Sequence, residues 1–279
     1  MSTSGTRDAT RIARDYYNSS DADTFYHEVW GGEDIHVGMY ASKEEPIRDA
    51  SRRTVDHMID LLGAIHEDAT ILDIGAGYGG AARRLVERTG CRVICLNLSD
   101  AENERNRAMN KEQGYADRIE VIDGSFEEIP LGDESVDAVW CQDAMLHSGD
   151  RARVLDEVDR VLKKGGRFIF TDPMRADNCP DDVLEPILAR IHLPDLGSPG
   201  FYASQADRLG WTNLGFEDMT PNLVKHYSAV LRTTESEADR LKGKISDEYI
   251  ERMKSGLTHW IEGGRSANLA WGVFLFEKS

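Results

Sequence analysis

Lysine is scarce in this chain. Of 33 basic groups among 279 residues, arginine supplies 24 and lysine nine, against 50 acids, so the formal net charge is −17. A field of that sign makes nucleic acid a poor partner. A large acid excess with little lysine suits a protein working in high internal salt, where screening shrinks self-repulsion. It equally suits a merely acidic cytosolic enzyme. No apolar run approaches the ~20 residues of a membrane helix, so no membrane partner is expected. Met1 to Asp23 is polar and holds no signal-peptide core, which points to a soluble cytoplasmic protein. Cysteines number only four, Cys91, Cys95, Cys141 and Cys179. Cys91 and Cys95 would stand ~13 Å apart along one strand, beyond disulfide reach. Metal-ligand spacing, internal repeats and low-complexity tracts are all missing. The expectation is a reducing compartment and a site without metal.

What the chain does have is Ile71-Leu72-Asp73-Ile74-Gly75-Ala76-Gly77-Tyr78-Gly79-Gly80. An apolar strand ends in an acid, then a glycine-rich turn opens a helix. Alternate glycines let backbone approach a ligand where a Cβ would clash, and the helix start offers unpaired N–H groups. A dinucleotide turn has the form G-x-G-x-x-G. Here Gly75, Gly77 and Gly79 give G-x-G-x-G, with Asp73 two residues ahead. This D-x-G-x-G-x-G resembles the cofactor loop of class I S-adenosylmethionine methyltransferases.

Residues 1–24 read as an arm with a short helix, Asp8 to Tyr17. Phe25 to Gly32 then mixes aromatics with a glycine pair, and Ile35-His36-Val37-Gly38-Met39-Tyr40 follows. Such aromatics suit core packing or a lid; the glycine pair permits a hinge and favours the lid. Val55, Met58, Ile59, Leu62 and Ile65 form one helical face. Strands are expected at Thr70–Ile74, Cys91–Leu96, Ile119–Ile122, Val136–Cys141 and Arg167–Thr171. Helices lie between them, from Tyr78 to about Arg88, from the Ser99-x-x-Glu102 capping box to near Gly114, and from Asp150 to Gly165–Gly166. Later come helices Asp181–Ile191 and Phe201–Leu209, a strand Phe216–Met219, a charged helical stretch and a final strand Leu269–Phe276.

Strands alternating with helices five times mark a parallel sheet covered on both faces. The fold expected is α/β, a doubly wound Rossmann-like seven-stranded sheet. Residues 1–45 form an arm and lid. Residues 46–279 form the main domain, with helical cap insertions at about 173–200 and 221–265. Ligands of such sheets bind beyond the carboxyl ends of the strands.

The strand ends therefore supply the candidates. Asp73, Gly75, Gly77 and Gly79 line the methionine part in the methyltransferase reading. Asn97 and Leu98 end the second strand, where that class usually has an acid for both ribose hydroxyls; Asn97 can accept and donate one bond each. Ser125 stands where an acid often meets the adenine amino group, and Phe126 either flanks adenine or packs in the core. Gln142 and Asp143 end the fourth strand, with His147 four residues on. On a helical turn Asp143 and His147 share a face, as a catalytic pair above the methyl group or as a structural pair. Arg175 and Arg190 in the cap could clamp a carboxylate. His192, Tyr202, His226, Tyr227, Trp260 and Arg265 are further cap candidates.

Several blocks together point to a narrower group: Trp30-Gly31-Gly32 with Ile35-His36-Val37-Gly38, the Asp73 loop, Gln142-Asp143-x-x-Leu146-His147-Ser148, Thr171-Asp172-Pro173-Met174 and His259-Trp260-Ile261-Glu262-Gly263-Gly264-Arg265. Over most of residues 16–277 the chain resembles the sarcosine/dimethylglycine N-methyltransferases that make glycine betaine in halophilic organisms. It also resembles phosphoethanolamine methyltransferases, which share Asp-x-x-x-His after the fourth strand. The resemblance implies S-adenosylmethionine as methyl donor, no metal, and a small zwitterionic amine as substrate. It implies cofactor contacts from Tyr26, Trp30 and the strand-end residues above. Catalysis falls to His147 and Asp143, and substrate contacts to Arg175, Arg190, Tyr202, Trp260 and Arg265. Another small-molecule methyltransferase acting on oxygen, sulfur or carbon is the alternative. A Rossmann dehydrogenase is disfavoured by the glycine spacing and Asn97. Acceptance of glycine and the oligomeric state stay open, a monomer being sufficient.

Overall fold

The computed structural model describes residues 20–191, 193 and 195–279. The expected helix Asp8–Tyr17 and residue His192 lie outside the described residues, as does the Arg190 side chain.

A seven-stranded sheet runs in the order β3-β2-β1-β4-β5-β9-β7. Its strands are β1 (Thr70–Ile74), β2 (Arg92–Asn97), β3 (Ile119–Asp123), β4 (Val136–Gln142), β5 (Leu162–Thr171), β7 (Thr212–Asp218) and β9 (Gly272–Glu277). The first five pair in parallel, while β9 runs antiparallel to both β5 and β7. Strand order reverses between β1 and β4, where doubly wound sheets open a ligand crevice. A small second sheet pairs β6 (Met174–Arg175) with β8 (Leu269–Ala270).

The helices are α1 (Ser20–Phe25), α2 (Ile47–Leu62), α3 (Gly80–Thr89), α4 (Asp100–Glu112), α5 (Arg151–Val161), α6 (Glu185–Ile191), α7 (Pro199–Leu209), α8 (Thr220–Ser236), α9 (Ala238–Leu241) and α10 (Asp247–Arg265). Their buried stripes cover both faces of the sheet and divide the core in two. One half takes Val55, Met58 and Leu85 of α2 and α3. The other takes Val154, Leu155, Val158 and Val161 of α5, against Phe168, Phe170, Phe274 and Phe276 of the sheet. The helices α8 and α10 pack on each other.

Several boundaries differ from the sequence reading for local reasons. Gly79 takes φ 74° as N-cap, so α3 starts at Gly80 rather than Tyr78. Leu162 already has extended backbone, so α5 stops at Val161 and Gly165–Gly166 fall within β5 instead of ending a helix. Residues 181–184 are turns, which shortens α6. The edge strand β7 begins at Thr212; it is exposed along most of its length, so no buried face marked it. The expected strand Leu269–Phe276 is broken at Trp271, with β8 joining the small sheet and β9 the large one. Trp271 at that break is buried and its indole donates to Asp143.

Candidate active site

At the carboxyl ends of β1, β2, β3 and β4 lies a crevice of about 720 Å³, open to solvent. Gly75, Gly77, Asn97, Leu98, Ser125, Phe126, Gln142, Asp143 and His147 all line it, so nine of the expected site residues meet in one cavity. A smaller lobe of about 320 Å³ adjoins it and shares Ile35, Gly75 and Gln142. Asp73 lines this lobe together with Asp34 and His36.

The glycine turn is built for close approach. Gly75 has φ 77°, and a Cβ there would sit 2.3 Å from the Ala144 Cβ. Gly77, at φ 51°, faces only the Ile35 side chain, 3.2 Å from where its Cβ would be. Gly79 turns away from the crevice, towards the Asn106 amide. Arg83, 2 % exposed, ties the turn in place. It donates to Tyr78 O at 2.8 Å, to Asn110 Oδ1 at 3.0 Å and to Glu33 Oε2 at 3.1 Å.

The acid missing from the end of β2 comes from a helix instead. Asn97 Nδ2 donates to Glu102 Oε2 at 2.8 Å, and Glu102 lines the crevice. Ser99 Oγ accepts from Glu102 N at 3.2 Å, as the capping box predicts. Glu102 was visible in the sequence only as a helix-start residue. Glu127, also in the crevice wall, carries no local sequence signal; its Oε1 accepts from Ser148 Oγ, Gly149 N and Asp150 N.

Asp143 joins the end of β4 to the segment around Val37. Its φ is 50°, a conformation uncommon outside glycine that recurs at functional positions. Its Oδ2 accepts from Val37 N at 2.7 Å and its Oδ1 from Trp271 Nε1 at 2.8 Å. Burial raises its pKa above the ordinary carboxylate range, although Val37, Trp271 and the nearby His36 oppose the rise. His147 ends the 3₁₀ turn Met145–His147, so the pair shares the crevice wall through a tight turn rather than an α-helical face. Burial also pushes Asp73 up to about 7, with Asp34 adding to the effect.

The remaining candidates lie elsewhere. Tyr26 and Trp30 form part of the π-helical turn Tyr26–Trp30, buried among aromatics; in the segment after it, Ile35 reaches both cavities. Tyr202 is fully buried, and its hydroxyl donates to Asp172 Oδ2 at 2.6 Å. Arg175 donates to Cys179 O at 2.8 Å and stands 3.7 Å from Asp181. Arg265 is exposed and lines a separate outer groove with Tyr40, Lys43 and Arg232. Trp260 is buried and stacks on Tyr227, with ring centroids 5.2 Å apart.

A methyltransferase-domain family model matches residues 72–170, the span from β1 to β5. A sarcosine/dimethylglycine N-methyltransferase of Aphanothece halophytica is 54% identical over 95% of this chain and 96% of its own length. The chain belongs to the sarcosine/dimethylglycine N-methyltransferase family. A member from Halorhodospira halochloris is likewise 54% identical, over 97% of each chain. The crystal structure of a candidate sarcosine dimethylglycine methyltransferase from Galdieria sulphuraria superposes with a TM-score of 0.90 at 45% identity, covering 95% of this chain and 99% of that one.

Methyltransferases of this family use S-adenosylmethionine, and the residues present fit it. Gln142 Nε2 and both Asp34 carboxylate oxygens are buried without a hydrogen-bond partner among the described residues. They form a donor and an acidic acceptor beside the glycine turn, matching the carboxylate and ammonium of an amino-acid headgroup. Arg52 at 3.3 Å and His36 at 3.6 Å keep the Asp34 charge balanced. The Asn97–Glu102 pair suits ribose hydroxyls, and Phe126 offers a flat apolar wall. Among the described residues no group of three His, Cys, Asp or Glu is arranged to hold a metal ion.

Proposed function

We propose that the protein methylates the nitrogen of sarcosine to give dimethylglycine, and of dimethylglycine to give glycine betaine. The observation that carries this is the near-full-length identity of 54% to two relatives bearing that name. S-adenosylmethionine supplies an electrophilic methyl group on sulfur. The glycine turn, Asn97 with Glu102, Ser125, Phe126 and Gln142 hold it in this reading. An ammonium has no lone pair, so the substrate nitrogen must lose a proton before it can attack. His147 accepts or relays that proton, with Asp143 beside it. Holding amine and donor in line supplies much of the rate. Methylation ends at the quaternary product, whose nitrogen has no lone pair left.

The same reading keeps residues 1–45 as arm and lid, and 173–200 and 221–265 as cap. A cytoplasmic setting is supported by the four cysteines, all buried and free. A methyl-transfer assay over glycine, sarcosine and dimethylglycine, with products identified by mass, tests the function. Turnover of sarcosine and dimethylglycine is expected. Methylation of phenols or thiols but of neither amine would overturn the proposal.

A further inference from the structure

Behind the lid lies a cluster of aromatic side chains with a shared deficiency. Trp30 Nε1, His226 Nε2 and Trp260 Nε1 are all buried, and none has a hydrogen-bond partner among the described residues. The three residues are 6 %, 0 % and 1 % exposed. Their rings form one chain of contacts. Trp30 lies 5.1 Å from His226 and 6.1 Å from Tyr227, and Tyr227 stacks on Trp260 at 5.2 Å. Buried polar groups in native proteins are nearly always hydrogen-bonded, so three exceptions in one cluster need a cause.

The chemistry of all three is fixed as donor. An indole N–H can only donate. His226 Nδ1 accepts from Gly38 N at 3.1 Å, and a backbone N–H has nothing else to offer, so the ring proton sits on Nε2. Burial, reinforced by the neighbouring His36, lowers the His226 pKa to about 3, so the ring is neutral. The cluster thus holds three neutral N–H donors with no acceptor among the described residues. A carboxylate has about four lone-pair sites on two oxygens, enough for three donors.

The cluster also adjoins the reaction. Gly38, which donates to His226, follows Val37, which donates to Asp143. Of the candidate arginines whose side chains are described, Arg175 is bonded to Cys179 O and Arg265 lines the outer groove. Neutral donors have an advantage here, because the nitrogen of the substrate gains positive charge and a nearby guanidinium would repel it. The surrounding ring faces attract that same charge.

We propose that Trp30, His226 and Trp260 form the subsite that grips the carboxylate of the amino-acid substrate through their neutral N–H groups. This rests on the methyl-transfer reading above. The three nitrogens are closed to solvent, so the acid enters with the lid swung about Gly31 and Gly32, whose φ values are 134° and 87°. Trp30 precedes that hinge and stays with the cluster, so the lid closes over the acid once it is bound.

The test replaces Trp30 and Trp260 separately by Phe, which keeps a ring and removes the donor. Circular dichroism and the melting temperature verify that each variant is folded. Each should raise KM for dimethylglycine on the order of tenfold or more, as expected for losing a bond to a charged acceptor, with the larger part of the loss in KM rather than kcat. Dimethylglycinamide, which lacks the acid, should be a poor substrate that the variants handle as the parent does. Unchanged KM for dimethylglycine in both variants overturns the proposal. Calorimetric binding of glycine betaine separates the two readings. If the parent methylates neither amine yet binds betaine, and both variants lose that binding, the subsite stands and the function fails. A parent that binds no betaine and methylates neither amine overturns the subsite as well.

Discussion

The backbone N–H of Val37 donates to the carboxylate of Asp143 across 2.7 Å, joining residues 106 positions apart in the chain. The segment around Val37 and the sheet thereby meet at a side chain that also receives Trp271 Nε1. Asp143→Asn puts an amide N–H against one of these two donors. The expected result is a fall in kcat/KM of about tenfold or more, the order of cost of an unsatisfied buried donor. Steady-state kinetics, with calorimetry to confirm cofactor binding, read it. Wild-type kinetics in the variant would reduce Asp143 to a packing residue.

His147 closes the 3₁₀ turn at the crevice wall. His147→Ala should lower kcat on the order of tenfold or more, with little change in cofactor affinity. The parent rate should rise with pH as the amine and its acceptor lose protons, and the variant should rise less steeply. A variant that keeps both kcat and the parent pH profile would show that the amine is deprotonated in solution.

Asp172 offers a pH test of the core. It is fully buried, accepts from Leu146 N and from the Tyr202 hydroxyl, and burial lifts its pKa to about 7. Unfolded, its pKa returns to about 4. Between those values the folded chain binds this proton and the unfolded chain does not, so stability falls as pH rises from about 4 to about 7. Asp172→Asn removes the dependence. Relative to the parent, the variant should therefore melt at a higher temperature at pH 7.5 than it does at pH 5. A melting difference that stays constant between the two pH values would refute the assignment.

The Asn97–Glu102 pair can be tested on binding alone. Glu102→Gln exchanges an acceptor-only carboxylate for a group that carries its own N–H donors. S-adenosylmethionine affinity should drop on the order of tenfold, the usual worth of a hydrogen bond to a charged group. Calorimetric affinity equal to the parent would remove Glu102 from the cofactor site.

Much of this was legible in the sequence, because strands followed by glycine turns and capped helices leave strong local marks. Asp73 to Gly79 and Gln142 to His147 sit at strand ends, and topology alone brings such ends together. What the sequence concealed depends on contacts between distant segments. Glu102 looks like a helix cap until the fold sets it beside Asn97. Trp271 looks like strand core until the chain breaks there and turns the indole to Asp143. Arginines were natural candidates for holding a carboxylate, but nothing local reveals that Arg175 is bonded to Cys179 O or that Arg265 faces an outer groove. Tyr26 and Trp30 stood out as aromatics beside a glycine pair, yet the packing of Trp30 against His226 and Tyr227 depends on α8, some two hundred residues away.

Glu102 also has a consequence for temperature. The residue lies in the first turn of α4, where Ser99 holds its backbone and Asn97 its side chain. Helix ends open more readily than a packed sheet. Warming should loosen that turn, and with it the nucleoside, while the strands are still intact. Cofactor release would then precede global melting by several degrees, visible as a calorimetric affinity that collapses before the far-ultraviolet dichroism changes. The enzyme's working range would be capped by one helical turn rather than by the strength of its core.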